Sequence, residues 1–106
     1  MTDQVFLHVE LRISAKEFVR FVDTMQHVWP LIEEAGWKFV GAWKVRVGVA
    51  NSMRVIWSIA DANAFFNERP GLLSHPRFAE FRAVIDAAVL EESVTIMTAL
   101  PYGKVP

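Results

Sequence analysis

Three ionisable residues alternate with apolar ones in the segment "FLHVELRIS", which spans residues 6–14. His8, Glu10 and Arg12 hold its even positions. Because successive side chains of a strand point to opposite faces, these three groups would share one face. An Arg fork beside a His suits a clamp for an anion or carboxylate, with His8 as acid or base. The same residues also suit cross-strand ion pairs at a subunit interface, which is the interpretation that we favour, or plain exposure to water.

Aromatic residues are the second candidate for function, since the chain has four Trp and eight Phe among 106 residues. If the sheet and the helices leave a gap, the four tryptophans would line an apolar ligand pocket, and Trp29, Trp43 and Trp57 are the three that we select. Trp43 has the same parity in the sequence as Trp37 and Phe39, so these three would lie on one face of a strand. The interpretation that we favour for these rings, however, is that they simply fill the core. Space for a pocket would come from small residues opposite the rings, and the sequence offers Gly41, Ala42 and Ala60.

Metal and haem chemistry have little support in the sequence. The chain has no cysteine, and its three His residues lack the spacing of metal ligands. His27 falls on the helix side that carries Lys16, so we expect it to be solvated. His75 precedes a proline, so we expect a loop residue. We therefore predict no metal, no haem and no other cofactor.

Charge and apolar content limit the classes to which the protein can belong. A net charge of −1 means that the chain has no excess of basic residues for binding nucleic acid. No apolar run reaches the roughly 18 residues of a membrane span, and the N-terminus does not resemble a signal peptide. We expect a soluble, cytoplasmic protein. Apolar residues make up 53% of the chain, more than a small domain needs for its own core, which favours a homodimer.

Hydrophobic periodicity predicts the first helix and the strands around it. Ser14 and Glu17 have the spacing of a capping box at the start of an amphipathic helix. Pro30 should bend that helix, and Gly36 should end it. Four antiparallel strands are predicted near residues 4–13, 37–47, 52–60 and 92–100.

The second half of the chain predicts two further helices. Asp61 can cap a short helix that Pro70-Gly71 breaks, and Ser74 can cap another that continues to Val89. Residues 101–106 should form an irregular tail. The order β-α-β-β-α-β is that of a single ferredoxin-like α+β domain over residues 1–106, with helices on one face of a four-stranded antiparallel sheet.

Alternation assigns side chains to the two faces of this sheet. The odd side of strand one is the more apolar, so it should meet the helices. Strand one should lie between strands three and four, which would bring Glu10 or Arg12 near Arg54 or Ser58. The other face would be open and would form the homodimer surface. We expect that open face to carry Phe6, Val40, Ala42 and Ile56 among its charges.

Three motifs resemble the NIPSNAP family. The segment "HVELRIS" is similar to the Y-E-L-R-x-Y opening of these domains, and "HVWPLIEEAGWKFVGAW" to a helix end with Pro and Gly before a strand that ends in G-x-W. The segment "VIWSIAD" resembles a W-x-Y-x-D strand, with Ile59 in place of the aromatic. The resemblance extends from residue 5 to about residue 100. It implies a dimeric α+β barrel, in which two open sheets pack together.

The resemblance implies a fold more than a reaction. NIPSNAP-type members have no generally assigned chemistry, and related barrels include cofactor-free monooxygenases, isomerases, dehydratases and haem enzymes. The function that we favour is a small-molecule-binding or sensing dimer. The alternative is a small cofactor-free monooxygenase or isomerase that acts on an aromatic or apolar substrate. A pocket on the order of several hundred Å³ with convergent polar groups would favour the enzyme.

Overall fold

The structure is a computed structural model that describes residues 4–101, apart from the side chains of residues 68–73. The predicted tail from residue 102 onwards lies outside the described residues. The elements are β1 (Val5–Ile13), α1 (Phe18–Glu34), β2 (Lys38–Lys44), β3 (Ser52–Ile59), α2 (Ala62–Leu73), α3 (Pro76–Ala88) and β4 (Val89–Thr98).

The four strands form one antiparallel sheet in the order β2-β3-β1-β4. This confirms the ferredoxin-like α+β fold and the central place of β1 between β3 and β4. On β1 the odd residues Leu7, Leu11 and Ile13 are buried in the core, and the even residues face the other way. Because α1 and α3 pack against each other on the odd side, the helices cover one face of the sheet.

The start of α1 differs from the predicted capping box. A single 3₁₀ turn, Ala15–Glu17, precedes the helix, and the Ser14 side chain makes no capping hydrogen bond. Instead, the backbone N–H of Glu17 donates to the Ser14 carbonyl at 3.0 Å. The capping-box prediction is wrong because the tighter turn satisfies that donor with a main-chain acceptor.

Two prolines lie inside helices. Pro30 lies within α1, which runs on to Glu34, and Gly36 follows with φ of +115°, so the predicted glycine stop is confirmed. The predicted break at Pro70-Gly71 is wrong, because α2 continues to Leu73. A proline removes one backbone donor and bends the helix locally, but neither effect obliges the helix to end.

The N-cap of α3 is His75 and not the predicted Ser74. Pro76 takes the first helical position, where its missing N–H costs nothing, so the residue before it becomes the cap. The Nδ1 atom of His75 accepts a hydrogen bond from the Arg77 N–H at 3.1 Å. The predicted Asp61 cap of α2 is confirmed, since its carboxylate accepts from the Ala64 N–H at 3.0 Å.

Two strand limits lie three residues from the predicted ones. Strand β2 ends at Lys44, before the predicted end at residue 47. Strand β4 begins at Val89, directly after Ala88 of α3, and not at residue 92. Val89 pairs with Ile13 of β1, so strand pairing takes this residue from the predicted helix.

A bulge at Val40 reverses the alternation of β2. Phe39 lies opposite Trp57, but Gly41 already lies opposite Ile56, so two residues of β2 face one of β3. From there on, every side chain of β2 takes the face opposite to the one that simple alternation assigns. The bulge therefore decides which residues of β2 reach the open face.

Candidate functional site

A cavity of about 140 Å³ lies between the sheet and the helix layer. Its walls come from the core side of β1, β3 and β4 and from α1, α2 and α3. Of the lining residues that the structure describes, Glu92 carries the only ionisable group. The cavity is therefore an apolar one, and most of its wall consists of aliphatic side chains such as Leu7, Leu11, Val28, Ile32, Val55 and Val94.

Aromatic rings form the wall of the cavity around Trp57 of β3. The Trp57 ring is almost fully buried and lies with its centre 5.6 Å from Trp29 and 6.1 Å from Trp37, both in edge-on contacts. Phe39 of β2 lies 5.1 Å from Trp57 but is exposed and does not itself line the cavity. Trp29 in turn stacks on Phe39 at 5.5 Å. Because such ring pairs hold each other in fixed orientations, this part of the wall is rigid.

Trp37, the remaining tryptophan, also lines the cavity. It follows Gly36, whose positive φ turns the chain from α1 into β2, and its ring stacks on Phe65 of α2 at 5.8 Å. The side chain is 6% exposed, and its Nε1 atom has no acceptor among the described residues. The sequence signal available was its place directly after a helix-ending glycine, where a strand begins against the core.

Trp43 lies on the open face and away from the cavity. Since the bulge reverses the alternation, Trp43 pairs with Arg54, and its ring lies over Gly41, where an added Cβ would come within 2.7 Å of it. The indole is 52% exposed. Of the three predicted pocket residues, Trp29 and Trp57 line the cavity and Trp43 does not. The same reversal places Ala42 opposite Val55, on the helix side, so its predicted place on the open face is wrong.

The ionisable residues of β1 lie on the open face and form cross-strand ion pairs. The Arg54 guanidinium donates to the Glu10 carboxylate at 3.2 Å, which confirms the expected neighbour. Arg12 donates to Glu91 of β4 at 2.8 Å, a partner that the sequence analysis missed. His8 lies between Ile56 and Thr95 in the register of the sheet. None of the three residues proposed for chemistry lines the cavity.

The two other histidines lie elsewhere. The His27 ring is exposed but stacks on Phe81 of α3 at 5.9 Å, so it bridges two helices. His75 caps α3, with its Nε2 atom 3.9 Å from a Glu34 carboxylate oxygen. Among the side chains that the structure describes, His, Asp and Glu form no group of three that could hold a metal ion. No helix in the described part of the chain combines the length and apolar composition of a membrane span.

Comparison with known proteins shows which family this chain resembles. The NIPSNAP family pattern matches residues 10–104. An uncharacterized NIPSNAP domain protein from Burkholderia xenovorans is similar in structure, with a TM-score of 0.83 at 18% identity over 95% of this chain and 99% of that chain. A NIPSNAP family protein from Agrobacterium tumefaciens gives a TM-score of 0.86 at 11% identity, over 97% and 99% of the two chains. None of the curated proteins compared with it matches this chain. The pattern covers nearly the whole sequence and the fold agrees, so the chain belongs to the NIPSNAP family.

Proposed function

We propose that the protein binds a small aromatic or apolar molecule in the cavity between its sheet and its helices. The observation that carries this proposal is the cavity of about 140 Å³ with a wall of Trp, Phe and aliphatic side chains. An engineered cavity of about 150 Å³ with a similar apolar lining stays dry and binds benzene. A cavity of this size therefore suits a ligand built on a single ring.

Binding has more support than acid–base catalysis. A catalytic site needs positioned acids or bases within reach of the ligand. His8, Glu10 and Arg12 lie on the other face of the sheet, and among the described lining residues only Glu92 carries an ionisable group. The cofactor-free enzyme considered from the sequence would need to bring further groups to this space.

Toluene should raise the thermal unfolding midpoint of the parent protein, by about 4–8 °C for each 1 kcal/mol of stability linked to binding. Val94→Phe should abolish most of this rise, because Val94 lines the cavity and the larger ring would occupy it. The matched control is Val19→Phe on α1, where the side chain is 73% exposed. Unchanged melting of the parent with toluene, or equal responses of the two variants, would contradict the proposal.

We also propose that two copies of the chain pack through their open sheet faces. The helices cover one face only, and the molecule is 19 Å across its shortest axis, about the thickness of two stacked layers. The open face mixes Phe6, Ile56 and the Trp43 ring with two ion pairs. A two-fold axis would place each such face against its own copy, so one self-complementary patch would serve both subunits.

Arg12→Ala should weaken the dimer far more than Lys16→Ala on the exposed side of the 3₁₀ turn. In the single chain Glu91 is 71% exposed, so its pair with Arg12 contributes little there. In the proposed dimer the loss of Arg12 would leave a covered carboxylate without its partner, at a cost of about 3–5 kcal/mol. Sedimentation of both variants over a range of concentrations measures the difference. A parent that stays monomeric at micromolar concentration would overturn the proposed dimer.

A further inference from the structure

We infer that the Trp37 indole N–H selects ligands that carry a neutral hydrogen-bond acceptor, such as an aromatic ketone or aldehyde. This inference rests on the proposed function, since it specifies the chemistry of the molecule that the cavity binds. It assigns to Trp37 a role in ligand selectivity, which the size and the apolar wall of the cavity do not provide by themselves.

The first argument is the state of the Trp37 nitrogen. The side chain is more than nine-tenths buried, it lines the cavity, and Nε1 has no acceptor among the described residues. A buried indole N–H usually has a hydrogen-bond partner, because an unpaired buried donor costs free energy. A ligand oxygen in the cavity would supply that partner.

The second argument is the rigidity of the ring. Trp37 stacks on Phe65 with an angle of 14° between the rings and meets Trp57 at 60°. These contacts on two sides prevent the indole from turning its N–H towards bulk water. A donor held in one orientation loses little entropy when it binds, so it can discriminate between ligands of equal shape.

The third argument concerns charge. No Lys, Arg or His is among the described residues that line the cavity, and Glu92 is an acid. A ligand carboxylate would therefore lose its hydration without gaining a cation and would meet an acidic neighbour. A neutral carbonyl oxygen can accept from Trp37 without that penalty. The structure thus favours neutral aromatic carbonyl compounds over aromatic acids.

The test compares acetophenone with isopropenylbenzene, in which a CH₂ group replaces the carbonyl oxygen in nearly the same shape. Water solvates the ketone better, so the informative quantity is the change of the affinity ratio on mutation and not either affinity alone. Trp37→Phe should weaken acetophenone about tenfold more than isopropenylbenzene, which corresponds to about 1.4 kcal/mol. Trp29→Phe, which alters another ring of the same wall, should leave the ratio unchanged.

The indole proton of Trp37 gives a second measurement that does not depend on the variant folding. Acetophenone should shift this NMR resonance downfield in the parent protein, and isopropenylbenzene should not. An unchanged affinity ratio in Trp37→Phe, or an unmoved indole proton in the acetophenone complex, would overturn the inference while ligand binding itself stands. Failure of both compounds to bind the parent would instead overturn the proposed function and the inference with it.

Discussion

Phe21→Ala is expected to lower the free energy of unfolding by about 3–5 kcal/mol, a large part of the roughly 5–15 kcal/mol of a small domain. Phe21 is on α1, is 1% exposed, and lies among the largest fully buried side chains of the core. Because Phe21 also lines the cavity, removing its ring loses buried apolar surface and enlarges that space, and both changes cost stability. Urea denaturation at a fixed protein concentration measures this loss.

The matched control is Phe66→Ala on α2. Phe66 is 65% exposed and meets Phe65 only at a ring edge, so its loss should cost less than about 1 kcal/mol. Comparable losses for the two variants would mean that the core is not centred on the helix face that carries Phe21.

Glu10→Arg should raise the dissociation constant of the proposed dimer by at least about a hundredfold. Glu10 lies directly opposite Arg54 in the sheet and accepts its hydrogen bond, so the change places two cations side by side. Like charges opposed on an exposed sheet cost little, but in a covered interface they cost several kcal/mol. Analytical ultracentrifugation over a dilution series gives the dissociation constant.

Exchanging the two charges should restore the dimer. The double variant Glu10→Arg with Arg54→Glu recreates the ion pair in the opposite sense, and its dissociation constant should return to within about tenfold of the parent. Glu33→Arg on the exposed side of α1 makes the same change in net charge and should leave association unaltered. If Glu10→Arg and Glu33→Arg behave alike, the open face of the sheet does not take part in assembly.

The fold was predictable because its strands carry strong alternation. On β1, a strict odd–even pattern from Leu7 to Ile13 gave the buried face, and it put Glu10 on the opposite face. Gly36 and Asp61 acted as the local signals predict, because each meets its requirement within its own turn. These inferences needed no knowledge of distant residues.

The site was less predictable because it depends on register and tertiary contact. Nothing in the composition of β2 marks Val40 as an extra residue, so Trp43 was expected beside Trp57. The partner of Arg12 depends on where β4 begins, and Val89 joins the sheet although its position also fits a helix face. Trp37 became a cavity residue through its stack on Phe65, which is distant in sequence.

Because of the bulge at Val40, the residues of β2 that face the helices have odd numbers before it and even numbers after it. Before it, Phe39 lies on the helix side against Trp57; after it, Trp43 lies on the open face, and Lys44 lies over the Phe18 ring at 4.8 Å on the helix side. Deleting this one residue would remove the bulge and leave a regular strand, in which Phe39 and Lys44 stay on the helix side and Trp43 stays on the open face. Inserting one residue after Gly41, by contrast, would turn Trp43 inward and Lys44 outward, and would thus alter the helix side and the open face of the sheet together.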